Sequence, residues 1–265
     1  MTTLTAYING IGLLGPGLFG WSESEPILAG QRPYIKLPTA LPLPMLLPAA
    51  ERRRSGAIVK TTLATGLEAS AAAGLDPATL ACVYSASGSD GQNCHEICLT
   101  LASDDRHISP TRFHNSVHNA AAGYWSIATG AMTPISVLCA YDASFGAGLL
   151  EALTQVIVDH TATLLISSDT TYPEPLHHTR PIPDNFATAL VLAPVASALS
   201  IAKISVSLTS EPAHTLSDAT LEQLRASIPS ARSLPLLQAL AQKRNERIVL
   251  DYLAPLQIAV DITLC

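Results

Sequence analysis

Two cysteines and two histidines have spacings that resemble a zinc site. Cys94 and Cys98 are four residues apart, and His114 and His118 follow with the same spacing. Zinc is commonly held by such pairs of sulfur and nitrogen ligands, but the gap between these pairs is longer than usual. The surrounding apolar chain also needs no metal to fold. We therefore expect no metal, and expect Cys94 and Cys98 to line an interior or interface surface as small apolar side chains.

The segment Gly10-Ile11-Gly12-Leu13-Leu14-Gly15 matches the GxGxxG pattern of dinucleotide sites and directly follows a predicted strand. In such a site the pyrophosphate lies at the N-terminus of the next helix. Pro16 and Gly17 prevent that helix from forming here. We therefore interpret the segment as a strand-to-loop turn and expect no cofactor.

Asp142 and Ser144 are further candidates for chemistry, and the chain has eight histidines. No GxSxG elbow is present, and no histidine is tied to Ser144 by a recognisable spacing. Walker A and HExxH motifs are absent from the sequence as well. Asp142 directly precedes an apolar segment, which predicts a helix N-cap. A helix start also favours the thiolate of a catalytic cysteine, although this residue is an aspartate.

The composition indicates a globular chain with an interface and argues against nucleic-acid binding. Charged residues make up 14% of the chain and hydrophobic residues 48%, whereas about 25% charged residues is typical. So little polar surface suggests that part of the exterior is covered by another subunit. The formal net charge is −6, and only Arg52, Arg53 and Arg54 form a basic cluster. Phosphate binding requires many more clustered cations.

The cysteines and the N-terminus favour a cytoplasmic protein. Five cysteines are an odd number, in a chain too large to need disulfides, so a reducing compartment is expected. The N-terminus lacks a basic start, and glycines and a proline interrupt its apolar stretch. We therefore expect neither a signal peptide nor a membrane span.

The elements that must position these residues alternate between strands and helices. The prolines within 37–50 predict an extended loop. Helices are predicted from near residue 50 to Gly74 and at 94–102, 115–129, 143–158, 216–227 and 234–243. Strands are predicted at 4–8, 80–85, 135–140, 163–167, 187–192, 201–208 and within 247–264. This alternation predicts an α/β fold with a mostly parallel sheet covered by helices.

The segment 108–142 resembles the condensing-enzyme family of β-ketoacyl synthases. In that family an Asn-x-x-Ala-Gly helix leads to a Gly-Pro, and then to a strand that ends at the cysteine nucleophile. Aligned without a gap, the asparagine falls on Asn119, Ala-Gly on Ala122-Gly123, Gly-Pro on Thr133-Pro134 and the cysteine on Asp142. The opening strand at 7–12 is also similar, and the resemblance covers roughly residues 4–192.

The resemblance implies a thiolase-like fold with an abridged C-terminal half. Residues 1–192 correspond to the N-terminal half of a ketosynthase and 193–265 to a reduced second half, in a single domain. Asp142 could form only a mixed anhydride where condensation needs a thioester. Cys139 lies inside a predicted strand and should be a buried core thiol. The family takes two catalytic histidines from its C-terminal half, but this chain has only His214 after Leu192.

A chain without nucleophile and histidines resembles a chain length factor, the inactive partner of a type II ketosynthase, and in particular the kind associated with aryl polyene assembly. The resemblance implies a heterodimer with an active ketosynthase, visited by an acyl carrier protein, with the acyl chain at the shared interface. Its candidates for the tunnel or interface are Cys94, His95, Cys98, Phe113 and Asn119. Two alternatives stay open. One is a free-standing acyltransferase or decarboxylase using Asp142, Cys139 or His214, and the other is a scaffold that keeps its partner soluble.

Overall fold

A nine-stranded mixed sheet is the centre of the computed structural model, which describes residues 3–265. Its strands follow the order β4-β3-β5-β6-β1-β7-β9-β8, with β2 paired to β1. They are β1 Leu4–Gly15, β2 Leu18–Phe19, β3 Ala81–Ser85, β4 Ile135–Leu138, β5 Thr163–Asp169, β6 Phe186–Ala193, β7 Ala202–Thr209, β8 Arg247–Leu250 and β9 Gln257–Leu264. β4 and β8 are therefore the edge strands.

Helices cover both faces of this sheet. They are α1 Trp21–Leu28, α2 Ala49–Arg54, α3 Ala57–Ala72, α4 Gly91–Ala102, α5 Pro110–His114, α6 Ala120–Thr129, α7 Ser144–Asp159, α8 Leu176–Thr179, α9 Ala219–Ser227 and α10 Leu234–Ala241. Because side chains alternate along a strand, Cys82 and Tyr84 of β3 join the core under α3 and α6, whereas Val83 joins the core under α7 and α10. Within the described residues, every helix is too short or too polar to traverse a bilayer.

The prediction of a mostly parallel sheet was wrong. Among the strands of residues 3–265, only the β3–β4 and β3–β5 pairs are parallel, while β6 runs antiparallel to both β5 and β1. The helices between β3, β4 and β5 act as crossovers, which parallel neighbours require. Between β5 and β6 the chain instead returns through a loop with the single short helix α8. The alternation of elements in the sequence did not distinguish these two kinds of connection.

The glycine-rich segment is part of a strand and not the predicted turn. β1 continues to Gly15, with a register shift between Ile8 and Gly10. Beyond this bulge, Ile11 and Leu13 enter one core, whereas Gly10 and Gly12 face α3. A Cβ atom on Gly12 would lie 2.0 Å from the carbonyl oxygen of Thr65. The glycines therefore permit the close approach of a helix, which is the usual meaning of glycine within a strand.

Two further predictions need correction. The predicted loop region after the first strand contains helix α1, and the loop predicted within 37–50 has no helix or strand up to residue 44 but ends at α2, which starts at Ala49. The predicted helix 115–129 starts only at Ala120, since α5 forms a separate turn. Asn115 lies between the two helices, where its side chain donates to the backbone oxygen of Arg54 and accepts from Tyr124. These bonds hold the break between α5 and α6.

Candidate functional site

Asp142 lies in a tight turn between the end of β4 and the start of α7. Tyr141, the preceding residue, has a left-handed backbone with φ of 51°, a conformation that is costly for a bulky side chain. Ser144 stabilises the turn from within, because its hydroxyl donates to the Tyr141 oxygen and accepts from the Ala140 N–H. The turn places the Asp142 side chain beyond the sheet, at the carboxyl ends of β3, β4 and β5.

The Asp142 carboxylate does not cap α7, contrary to the prediction. The N-cap position is Ala143, and no side chain caps the helix start. Asp142 instead accepts hydrogen bonds from two arginines that are remote in sequence. Arg180 donates to Oδ1 at 2.8 Å, and Arg232 donates to Oδ2 at 3.3 Å. The aspartate at the aligned nucleophile position is thus the counter-ion of two guanidinium groups.

Both arginines are largely withdrawn from solvent, with side chains 18% and 19% exposed for Arg180 and Arg232. The Arg180 guanidinium also lies over the Tyr141 ring, 3.7 Å from its centroid, which is a cation–π geometry. Burial lowers the pKa of Arg180, but the hydrogen bond and charge of Asp142 more than offset it, so the pKa lies above its usual value. The Arg180 guanidinium therefore stays charged.

Asp169, at the end of β5, anchors the short helix that carries Arg232. Its buried carboxylate accepts from the Ser87 N–H and hydroxyl at 2.8 and 2.5 Å, and from the Ser230 N–H at 2.7 Å. Ser230 belongs to the 3-10 helix Pro229–Ser233, which carries Arg232. Asp169 therefore joins the end of β3 to this helix. The sequence analysis missed Asp169, Arg180 and Arg232, because no local pattern links them to Asp142.

The two arginines and Asp142 border a cavity of about 310 Å³. Its other walls are mostly apolar, with Pro181, Ile182, Ala226 and Pro229 beside Ser227. The Ser227 hydroxyl donates within its own helix, to the Gln223 oxygen. The lining residues include no thiol and no imidazole, so the cavity can hold charge but lacks the groups of a cysteine–histidine condensation site.

The remaining candidate nucleophile and base lie elsewhere. Cys139 is exposed, contrary to the prediction of a buried thiol, and its Sγ–H donates to the Ser87 oxygen at 3.3 Å. β4 already ends at Leu138, on an edge of the sheet, so the strand does not bury the next residue. His214 pairs with β8: its Nδ1 accepts the Val249 N–H at 2.9 Å. Neither residue lines the cavity at Asp142.

A family model described as "beta-ketoacyl synthase, N-terminal domain" matches residues 25–252. The chain belongs to this family. No curated protein matches it by sequence. The sequence resemblance described above aligns the family's nucleophile with Asp142, in the turn after β4.

The fold is also shared with solved ketosynthase structures. A chain of the ketosynthase (ApeO) in complex with its chain length factor (ApeC) from Xenorhabdus doucetiae superposes with a TM-score of 0.74 at 23% identity, covering 97% of this chain and 99% of that one. The ishigamide ketosynthase/chain length factor has a TM-score of 0.73 at 13% identity, covering 98% of this chain and 99% of that one. Ketosynthase twelve of the bacillaene synthase from Bacillus amyloliquefaciens has a TM-score of 0.57 at 12% identity, covering 80% of this chain but 46% of that one. These similarities establish a thiolase-like fold, in a chain whose length matches the first two structures.

This ketosynthase-family chain has an uncovered apolar face on α4, α5 and α6. α4 buries only Gly91 and Asn93, and α5 buries no residue. Large apolar side chains on this stretch are exposed: Leu99, Leu101, Phe113, Val117 and Ile127. We call these five residues the uncovered face. Three of them, Phe113, Val117 and Ile127, border one groove, and grouped exposed apolar side chains of this kind mark an interaction site.

The predicted tunnel or interface residues are distributed over this region. Phe113 and Asn119 line one groove of about 480 Å³ together with Val117 and Ile127. On α4, Cys94 and His95 are half-buried and Cys98 is exposed. These three α4 residues line neither the groove nor the cavity at Asp142. In residues 3–265, no three His, Cys, Asp or Glu side chains come together as metal ligands.

Replacing Asp142 with alanine should lower the free energy of unfolding by about 1–3 kcal/mol, because two partly buried guanidinium groups would lose their counter-ion. The expected loss stays below that of a fully buried ion pair because the Asp142 side chain is 41% exposed and solvent screens the interaction. Urea denaturation measures the change. Asp104→Ala is a matched control, since Asp104 is exposed and makes no side-chain hydrogen bond in the described residues, and it should shift stability by less than about 0.5 kcal/mol. Equal effects of the two substitutions would contradict a role for the arginine bridge.

Proposed function

We propose that this chain is a non-catalytic chain length factor, which pairs with an active β-ketoacyl-ACP synthase and helps to set polyene or polyketide chain length at the shared interface. One observation carries the proposal. Asp142, which the sequence resemblance aligns with the family's nucleophile, is held by Arg180 and Arg232 in a cavity whose lining includes no thiol and no histidine. An acyl thioester cannot form on a carboxylate.

The alignment with two solved complexes supports a subunit role. The chain aligns with nearly a whole chain of two ketosynthase/chain length factor complexes. In the proposed pair, the partner subunit supplies the catalytic groups.

The uncovered face supports the pairing. Its exposed residues lie on α4, α5 and α6 and in the turn between α5 and α6, in the part of the chain that leads to the edge strand β4. An edge strand has a row of backbone groups without a strand partner, and proteins normally cover or protect such edges. A ketosynthase seated here would bury both the apolar side chains and the strand edge. We expect the complex in the cytoplasm, because the five cysteines are free thiols, which suits a reducing compartment.

The test is co-expression with an active ketosynthase from the same organism, followed by incubation with a labelled acyl carrier protein. We expect a one-to-one complex in which the label transfers to the ketosynthase and not to this chain. A stable monomer that does not bind the ketosynthase would contradict the proposed pairing. Covalent transfer of the acyl group to this chain would instead support the alternative of a free-standing acyltransferase or decarboxylase acting through Asp142, Cys139 or His214.

The chain-length role has its own test. We propose that α4 contributes to the tunnel wall through Cys94, His95 and Cys98, which are all incompletely buried. Cys98→Phe should then shorten the product, because a larger side chain reduces the space for a rod-like acyl chain. Mass spectrometry of the products of the complex measures this. An intact complex that makes products of unchanged length would favour a scaffold that only stabilises its partner.

A further inference from the structure

We propose that the cavity bordered by Asp142, Arg180 and Arg232 binds a small carboxylate with an aliphatic body. The inference goes beyond the proposed function, because it concerns a ligand of this chain and holds whether or not a ketosynthase is bound. The argument rests on the charge, the unused hydrogen-bond donors and the walls of this cavity.

The groups that line the cavity carry one net positive charge, since the buried Asp169 carboxylate is bonded to Ser87 and Ser230 and is not part of the lining. Arg180 and Arg232 contribute two positive charges and Asp142 one negative charge, and the other lining residues do not ionise at neutral pH. Elsewhere on α9, Arg225 is already hydrogen-bonded to Glu222 and Asp251. A largely buried charge without a full counter-charge is costly, so an arriving anion would be stabilised.

Arg232 also has unused donors. A guanidinium has five N–H groups, but Arg232 makes a single side-chain hydrogen bond within residues 3–265, to Oδ2 of Asp142. Its side chain is nevertheless only 19% exposed. The planar fork of an arginine matches the two oxygens of a carboxylate. The donors that border the cavity can therefore bind a second carboxylate beside that of Asp142.

Asp142 and Tyr141 hold these groups ready for a ligand. The Asp142 carboxylate separates the two guanidinium groups and fixes one edge of each, while the Tyr141 ring covers a face of Arg180. Side chains held in this way lose less entropy when an anion binds. The arrangement is thus a preorganised pair of cations rather than a flexible surface cluster.

The walls select the class of anion. Four apolar residues, Pro181, Ile182, Ala226 and Pro229, line the cavity beside the charged groups, and they can contact an aliphatic body, which a hydrated inorganic ion lacks. One net positive charge also matches a carboxylate better than a doubly charged phosphate. The volume of about 310 Å³ lies at the small end of ligand pockets, which limits the ligand to a short acyl chain.

Ligand-observed NMR on the full chain tests the inference, with butyrate, butyramide and inorganic phosphate as probes. We expect saturation transfer to butyrate and little to the uncharged butyramide. Added inorganic phosphate should reduce the saturation transfer to butyrate only weakly. Arg232→Gln should weaken butyrate binding about tenfold or more, since a hydrogen bond to a charged group is lost. Arg53→Gln is the matched control, because Arg53 is exposed on α2 and loses the same charge away from the cavity.

A second variant distinguishes a binding site from a structural ion pair. Asp142→Asn raises the net charge of the cavity from one to two and keeps an acceptor for one arginine, so butyrate should bind several-fold more tightly. Weaker binding in this variant, equal binding by Arg232→Gln and Arg53→Gln, or equal transfer to butyrate and butyramide would overturn the proposal. Circular dichroism of each variant verifies that it is folded. If Arg232→Gln does not fold, the butyrate affinity of Asp142→Asn still tests whether the cavity binds a carboxylate.

Discussion

Replacing Phe113 with aspartate should leave the chain folded but prevent it from forming the proposed complex with a ketosynthase. Phe113 is 69% exposed on α5, a helix that buries no residue, so the isolated chain gains little from the ring. At an interface the same ring would be desolvated against the partner, where aromatic residues often dominate the binding energy. The aspartate would lose that contact and bring a carboxylate into an apolar surface.

We expect the affinity of the pair to fall by about 100-fold or more, which corresponds to roughly 3 kcal/mol. Size-exclusion chromatography of the co-expressed proteins detects the loss, and surface plasmon resonance measures it. Val195→Asp is a matched control, because Val195 is 70% exposed and lies in the loop after β6, outside the uncovered face. If Phe113→Asp retained the complex as well as Val195→Asp does, the interface would have to lie elsewhere.

The central part of the fold could be predicted from the sequence because its elements have complete apolar patterns. β3, β5 and α7 were predicted within a few residues of their observed bounds. The ungapped spacing from Asn119 to Asp142 also placed Asp142 correctly between a strand and a helix. In this region the periodicity of burial determines both the element and its position, so local reasoning succeeds.

The chemistry around Asp142 could not be predicted in the same way. Its partners are 38 and 90 residues away, and neither lies in a periodic segment. A carboxylate before a helix has two competing uses, capping the backbone or pairing with a cation. Asp142 pairs with cations because the β5–β6 loop brings Arg180 and the 3-10 helix brings Arg232 next to it. This proximity is a property of the tertiary structure alone.

Cys139 shows the same limit for burial. Its neighbours are apolar and form a strand, which predicts a core position, but β4 is an edge strand of four half-buried residues. An edge strand has a neighbouring strand on one side only, so its residues are less buried. The sequence of a strand does not show whether it lies at the edge or in the centre of the sheet. The position of β4 follows from its pairing with β3, which depends on residues about 50 positions earlier.

Replacing Gly12 with alanine should destabilise the chain by more than about 3 kcal/mol, a large part of the 5–15 kcal/mol typical of a folded domain. The added Cβ would lie 2.0 Å from the carbonyl oxygen of Thr65 and 2.8 Å from its carbonyl carbon. This obstacle is the backbone of α3, which packs on β1, β5 and β6 and cannot move without disrupting the core. We expect a much lower urea midpoint, or no folded protein.

Gly123→Ala is the matched control for this prediction. Gly123 is an exposed position in α6, and no atom outside its own helix lies within 4 Å of an added Cβ. Alanine should therefore stabilise the chain by roughly 0.5–1 kcal/mol through its helix propensity. The pair also separates the two interpretations of the glycine-rich segment. If the glycines served a dinucleotide, Gly12→Ala would keep a normal urea midpoint and lose binding of NADH. If they serve the packing of α3 on β1, the midpoint falls and the unsubstituted chain does not bind NADH.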